Sequence, residues 1–167
     1  MSGSPEWGPG PWNDEPDELR WQDARTGLWC KLLRNSMLGI LCGYVGVPPG
    51  HALFGWDYHD SIKSKEEYNS GTAPIDLAFQ VHGGLSYSGE NNGLWWFGFD
   101  CGHAWDLVPS MVGFYRKHHL GHDRAQTYRD ISFVKHQCAD LAFQLKQLEA
   151  AKELTTAKDW HDDDPEY

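Results

Sequence analysis

Apolar positions recur every second residue in residues 75–81 (IDLAFQV), with Ile75, Leu77, Phe79 and Val81 on one face and Asp76, Ala78 and Gln80 on the other. That two-residue period predicts a half-buried strand ending at His82. Residues 94–100 (LWWFGFD) predict a second, more uniformly apolar strand. Residues 29–47 predict two strands about a turn at Asn35-Ser36. In the second of these, Leu38, Ile40, Cys42 and Tyr44 alternate with Gly39, Leu41, Gly43 and Val45. Both sets are apolar or small, as in a central strand covered on both faces. The period changes after Asp123. Ile131, Val134, Cys138, Leu141, Leu145 and Leu148 recur at spacings of three and four, the stripe of a long helix expected over residues 124–154. Asp123 with Gln126, or Thr127 with Asp130, would cap its start.

Between these elements the pattern is less regular. Residues 51–60 mix aromatic groups with His51, Asp57, His59 and Asp60, and residues 61–74 are polar, with a short helix expected over 64–68. Residues 85–87 predict a short strand and 88–93 (SGENNG) a turn, while Pro109 limits regular structure after Asp106. Residues 1–18 are dense in Gly and Pro and predict a flexible leader, whose Trp7 and Trp12 either dock on the domain surface, the favoured reading, or engage a partner. Residues 155–167 predict an acidic, disordered tail. The expected architecture is therefore one α+β domain over 19–154: a mostly antiparallel sheet with a long C-terminal helix packed across it.

Composition narrows the function classes. A chain of 167 residues fits one domain with a real core, and 14% aromatic residues is far from a disordered composition. A formal charge of −10 argues against a nucleic-acid backbone as the main partner, yet helix ends and glycine turns can still hold a small anionic ligand. Cys30, Cys42, Cys101 and Cys138 form no C-x-x-C pair and predict buried, reduced thiols in a cytoplasmic protein. Neither a membrane-spanning run nor a signal-peptide pattern is expected.

Candidate chemistry concentrates in residues 81–106 (VHGGLSYSGENNGLWWFGFDCGHAWD). Ionisable groups inside so apolar a stretch are costly unless paired or bound to something. Asp100, His103 and Asp106 stand three apart, and on a helical turn or loop they converge with His82. Two chemistries fit. Imidazole and carboxylate can ligate a divalent metal such as Zn, Mn, Fe or Ni. Alternatively, a carboxylate beside imidazole fixes its tautomer for proton transfer, with His82 or His103 as acid or base. Gly83 and Gly84 would let backbone N–H groups approach an anion, and Tyr87 and Trp95 would line the pocket. The bland alternative is a satisfied strand-end His82, an Asp100 that caps the next element, and aromatic residues that are core. Cys101 reads as a buried structural thiol, and His118, His119 and His122 as a solvated loop.

These residues carry a resemblance. His82-Gly83-Gly84-Leu85-Ser86-Tyr87, followed by Trp95-Trp96-Phe97-Gly98-Phe99-Asp100-Cys101-Gly102-His103 with Asp106, and then Tyr128-Arg129, resembles a group of small bacteriophage and prophage proteins. That group pairs H-G-G-[LI]-[ST]-Y with W-W-x-G-F-D-C-x-H-x-x-D. The resemblance spans residues 29–148 and implies a phage protein acting in the bacterial host cytoplasm, against host machinery or signalling. Two functions are expected from here. One is a hydrolase or phosphodiesterase-like enzyme on a nucleotide-type ligand. The other is a non-enzymatic inhibitor that binds a host defence protein through an acidic, aromatic-rich surface.

Overall fold

The computed structural model describes residues 4–63, 73–74, 79–121, 125–149 and 155–156, with backbone alone for 61–63, 73–74 and 155–156. In chain order the strands are β1 (Glu18–Gln22), β2 (Trp29–Arg34), β3 (Leu41–Val47), β4 (Ser61–Lys63), β5 (Ala73–Pro74), β6 (Tyr87–Asn91), β7 (Leu94–Asp100) and β8 (Thr155–Thr156). Helix α1 spans Pro109–Lys117 and helix α2 spans Ile131–Gln147. The main sheet is antiparallel throughout, in the order β1-β2-β3-β7-β6, and β4 pairs with β5 and β8 in a small second sheet. The architecture is α+β, with α2 packed on the sheet at β3 and β2. Among the described residues no helix is long and apolar enough to cross a membrane.

Alternation in β2 and β3 builds the core. Cys30, Leu32, Leu41, Val45 and Val47 point inward and meet Val134, Cys138, Leu141, Ala142 and Leu145 of α2. Burying each large aliphatic side chain is worth about 1.5–3 kcal/mol, so this seam dominates the stability of the fold. Gly43 sets how close the helix comes. A Cβ there would lie 2.4 Å from the Phe99 ring and 2.9 Å from Cys138 Sγ. On the opposite face, Lys31, Tyr44, Gly98 and Tyr87 share one row of the sheet. Lys31 Nζ lies 4.3 Å over Trp96 and 5.1 Å over Tyr44. The expectation that β3 is covered on both faces is met on the helix side only: among the described residues no element packs on the outer face, where Cys42 and Tyr44 are half-buried.

Several boundaries differ from expectation. Helix α2 has 17 residues, starts at Ile131 and is capped by Asp130, whose side chain accepts from Phe133 N. Residues upstream of it are not helical because they pair elsewhere: Leu107 N donates to Thr127 O and Thr127 N to Trp105 O. Residues 150–154 of the expected helix lie outside the described residues. Pro109 opens α1 instead of blocking it, since the first helical position needs no N–H partner. Strand β6 runs to Asn91 and the turn shrinks to Asn92-Gly93, both at positive φ (53° and 77°), as a two-residue hairpin requires. Residues 79–81 are not a strand of the sheet. They run along α2, where Gln80 N and O pair with the Gln144 side-chain amide and His82 N donates to Gln137 Oε1. The expectations for residues 75–78, 64–68 and 157–167 fall outside the described residues.

The segment expected as a flexible leader is built into the domain from residue 4 onward. Two 3-10 turns, Pro5–Trp7 and Pro11–Asp14, bury Trp7 and Trp12. Glu15 then accepts from Tyr128 Oη (2.6 Å) and from Ile131 N (2.8 Å), so a leader carboxylate caps α2. Tyr128 Oη in turn accepts from Arg34 Nη1, which ties both to β2.

His51 closes the far end of α2. It is 5% exposed, its Nε2 donates to Leu145 O at 2.7 Å, and its Nδ1 accepts from Leu53 N at 3.0 Å. Those roles require neutral imidazole, and burial lowers its pKa from 6.5. The unfolded chain therefore takes up this proton first. His51 contributes full stability above pH 6.5 and loses it as pH falls below that value. Urea denaturation at pH 8 and pH 5.5 should show that His51→Gln flattens this acid-side loss. An unchanged difference between the two pH values would contradict the assignment.

Candidate functional site

Strand β7 ends at Asp100, and the chain turns through residues 101–106 to place Asp106 at 0% exposure. Three chain segments meet its carboxylate. His82 Nε2 lies 2.9 Å from both oxygens, Arg129 Nε is 2.9 Å from Oδ1, and His103 contributes Nδ1 and backbone N at 3.0 Å from Oδ2. Burial pushes the Asp106 pKa up, but hydrogen bonds from Arg129, His82 and His103 outweigh it and hold the group below the usual carboxylate value. An ionised carboxylate only accepts. In the neutral rings, His82 is therefore the Nε2–H tautomer and His103 the Nδ1–H tautomer.

This leaves His103 Nε2 as a nitrogen acceptor with no hydrogen-bond partner among the described residues. The side chain is 23% exposed, and the nearest carboxylate, Asp100 Oδ1, is 4.0 Å away. Trp105 lies flat on the His103 ring, with centroids 5.1 Å apart and planes 7° apart, and is itself half exposed. Phe133 meets the His82 ring edge-on at 5.0 Å, and the Arg129 guanidinium lies 4.8 Å over Phe133. Helix α2 thus supplies an apolar wall to a polar cluster. Gly83 has φ +70°, and a Cβ on it would fall 2.0 Å from His103 Nε2, so only glycine leaves room for that ring.

Of the residues expected from the sequence, His82, His103 and Asp106 converge, and Asp100 stands at the rim, accepting from Gly102 N. Gly84 N donates to Val81 O and so closes a turn instead of facing an anion. Tyr87 lies on the outer sheet face against Tyr44, and Trp95 packs against Phe54 with its Nε1 on Trp56 O. The structure shows neither in contact with the cluster. Cys101 is buried, and burial pushes its thiol well up; Cys30 rises to about 12 and Cys42 to about 11 for the same reason. No thiolate nucleophile is available there. Two participants were not anticipated. Trp105 belongs to the site loop, and Arg129 appeared only as part of the Tyr128-Arg129 motif.

The ligand atoms of His82, His103 and Asp106 lie within 4.8 Å of one another, close enough to hold one metal ion. Arg129 Nε holds Oδ1 of the same carboxylate, so an ion there would share Asp106 with a guanidinium. Comparison with protein-family models, curated proteins and solved structures found no match.

Removing one member of a buried charge cluster leaves the others uncompensated, typically at a cost of about 3–5 kcal/mol. Asp106→Ala should lower the unfolding free energy by that order in chemical denaturation, whereas Asp100→Ala should cost under about 1 kcal/mol. Equal, small effects would contradict the hub.

Proposed function

We propose that the chain is a small hydrolase or phosphodiesterase-like enzyme that performs acid–base chemistry on an anionic, nucleotide-type ligand. The observation that carries this reading is the His103–Asp106 dyad. A buried carboxylate holds Nδ1–H and leaves Nε2, on a side chain 23% exposed, as a proton acceptor. His103 then takes or gives the proton, Asp106 orients it, and His82 shares the same carboxylate. Arg129 bonds Asp106 through Nε, and its terminal amines have no partner among the described residues. They supply positive charge to a phosphate group. The exposed Trp105 indole offers a stacking surface for a base. Asp100, 4.0 Å away at the rim, stabilises the imidazolium that forms when His103 Nε2 takes the proton.

The same residues support a metal-assisted version, in which His82, His103 and Asp106 hold a divalent ion and Arg129 turns to the substrate. The phage resemblance supports a setting in the bacterial host cytoplasm for either version. A second reading, an inhibitor of a host defence protein, draws on the outer sheet face, where Trp29 and Tyr87 are exposed and Glu18 lies on the same face.

Purified protein should be assayed against bis(p-nitrophenyl) phosphate and a panel of nucleotides, with and without chelator. His103→Gln should lower turnover by about 10²-fold or more. Chelator leaves the rate unchanged in the acid–base version and abolishes it in the metal version. Wild-type protein that neither binds nor turns over any member of the panel would overturn the enzyme reading.

A further inference from the structure

Helix α1 is amphipathic in the wrong direction for a helix that only serves the core. Its buried residues are Pro109 and Gly113, which face the leader. A Cβ on Gly113 would lie 2.2 Å from Glu6 O, so the leader backbone rests directly on the helix. Met111, Phe114 and His118 follow at helical spacing on the outward side, with Phe114 49% exposed and its ring 4.4 Å from that of His118. Met37, from the β2–β3 turn, stands 82% exposed at the edge of the same groove, which measures about 660 Å³. Leu120 is also exposed at the helix end.

The charge of this groove opposes that of the chain. Arg116, Lys117, His118 and His119 line it against the single carboxylate of Glu6, in a protein of formal charge −10. Neither Arg116 nor Lys117 has an ion-pair partner among the described residues. His119 is held at φ 54°, a left-handed conformation uncommon for a residue other than glycine. In it, Leu120 N bonds Tyr115 O at 2.7 Å, which closes the helix end and leaves the basic residues at the groove.

We propose that this groove docks an acidic amphipathic helix of a partner protein. The partner's apolar residues would lie along Phe114 and Met37, and its carboxylates would face Arg116 and Lys117. The arrangement matches the helix-in-groove mode, in which apolar anchors give affinity and methionines adapt to the partner. Charge complementarity selects the occupant: a basic or neutral helix would meet the same apolar stripe without the ion pairs. The surface is separate from the Asp106 cluster and does not depend on its chemistry.

The probe is a fluorescein-labelled 18-residue helix with Leu and Phe at i, i+3, i+4 and i+7 and Glu on the flanks, titrated against the full chain by anisotropy. Three controls accompany it: the same helix with Lys for Glu, a peptide of residues 157–167, and vesicles of phosphatidylglycerol and phosphatidylcholine. The acidic helix should bind at least 10-fold tighter than the Lys helix. Arg116→Glu with Lys117→Glu, or Phe114→Ser alone, should weaken it at least 10-fold. Thermal melts of Phe114→Ser should match wild type, because its ring is half exposed; the Arg116 guanidinium lies against Gly8, so the double variant is read beside its own melt. Equal affinity for the two helices, no binding of the acidic one, or tighter binding of residues 157–167 or of the vesicles would each overturn the proposal. So would a dimer in sedimentation that Phe114→Ser dissolves.

Discussion

A carboxylate with no access to water must be neutralised by donors, and Asp106 meets that demand with three side chains, His103 from its own loop and His82 and Arg129 from distant parts of the chain. One segment arrives along α2 with His82, one is the loop after β7, and one is the stretch before α2 with Arg129. None of the three belongs to the interior of the sheet. The charge of Asp106 therefore fixes the arrangement of loops that the apolar core leaves undetermined. It also fixes both imidazole tautomers, which links a folding requirement to the chemistry of the site.

The rest of the fold holds those segments in reach. Tyr128 and Arg129 are adjacent but serve different clusters: Tyr128 bonds Glu15 and Arg34, and Arg129 bonds Asp106. The leader consequently anchors the residue next to the site, and its Glu15 also caps the helix that lines it. Gln137 and Gln144 of α2 hold the backbone of residues 80–82 as a neighbouring strand would. The core seam of β2, β3 and α2 is thus a platform, and polar side chains make the connections to the site. Docking at α1 would touch the leader, and through it the same platform.

How far the sequence carried the account follows from the range of the interactions. Strand β7 was legible to the residue because a continuous apolar run has one outcome beside a central strand. The convergence of His103 and Asp106 was legible because three-residue spacing in a loop keeps side chains near each other. Asp100 has the same spacing, but it terminates β7 and bonds Gly102 N, so it sits at the rim. Arg129 was beyond local reading, because its partner lies 23 residues away and a helix intervenes. The start of α2 was misplaced because Asp123-Gln126 and Thr127-Asp130 both imitate caps. The actual cap is Asp130, since Thr127 pairs with the Asp106 loop. Residues 79–81 show the strand period, yet glutamine side chains take the place of a neighbouring strand.

The central claim is that buried, ionised Asp106 dictates the protonation pattern of both histidines. Nitrogen-15 NMR of the imidazole side chains near pH 8 reads it directly. His82 should be locked with its proton on Nε2 and His103 with its proton on Nδ1. Averaged shifts of freely exchanging tautomers for both rings would contradict it.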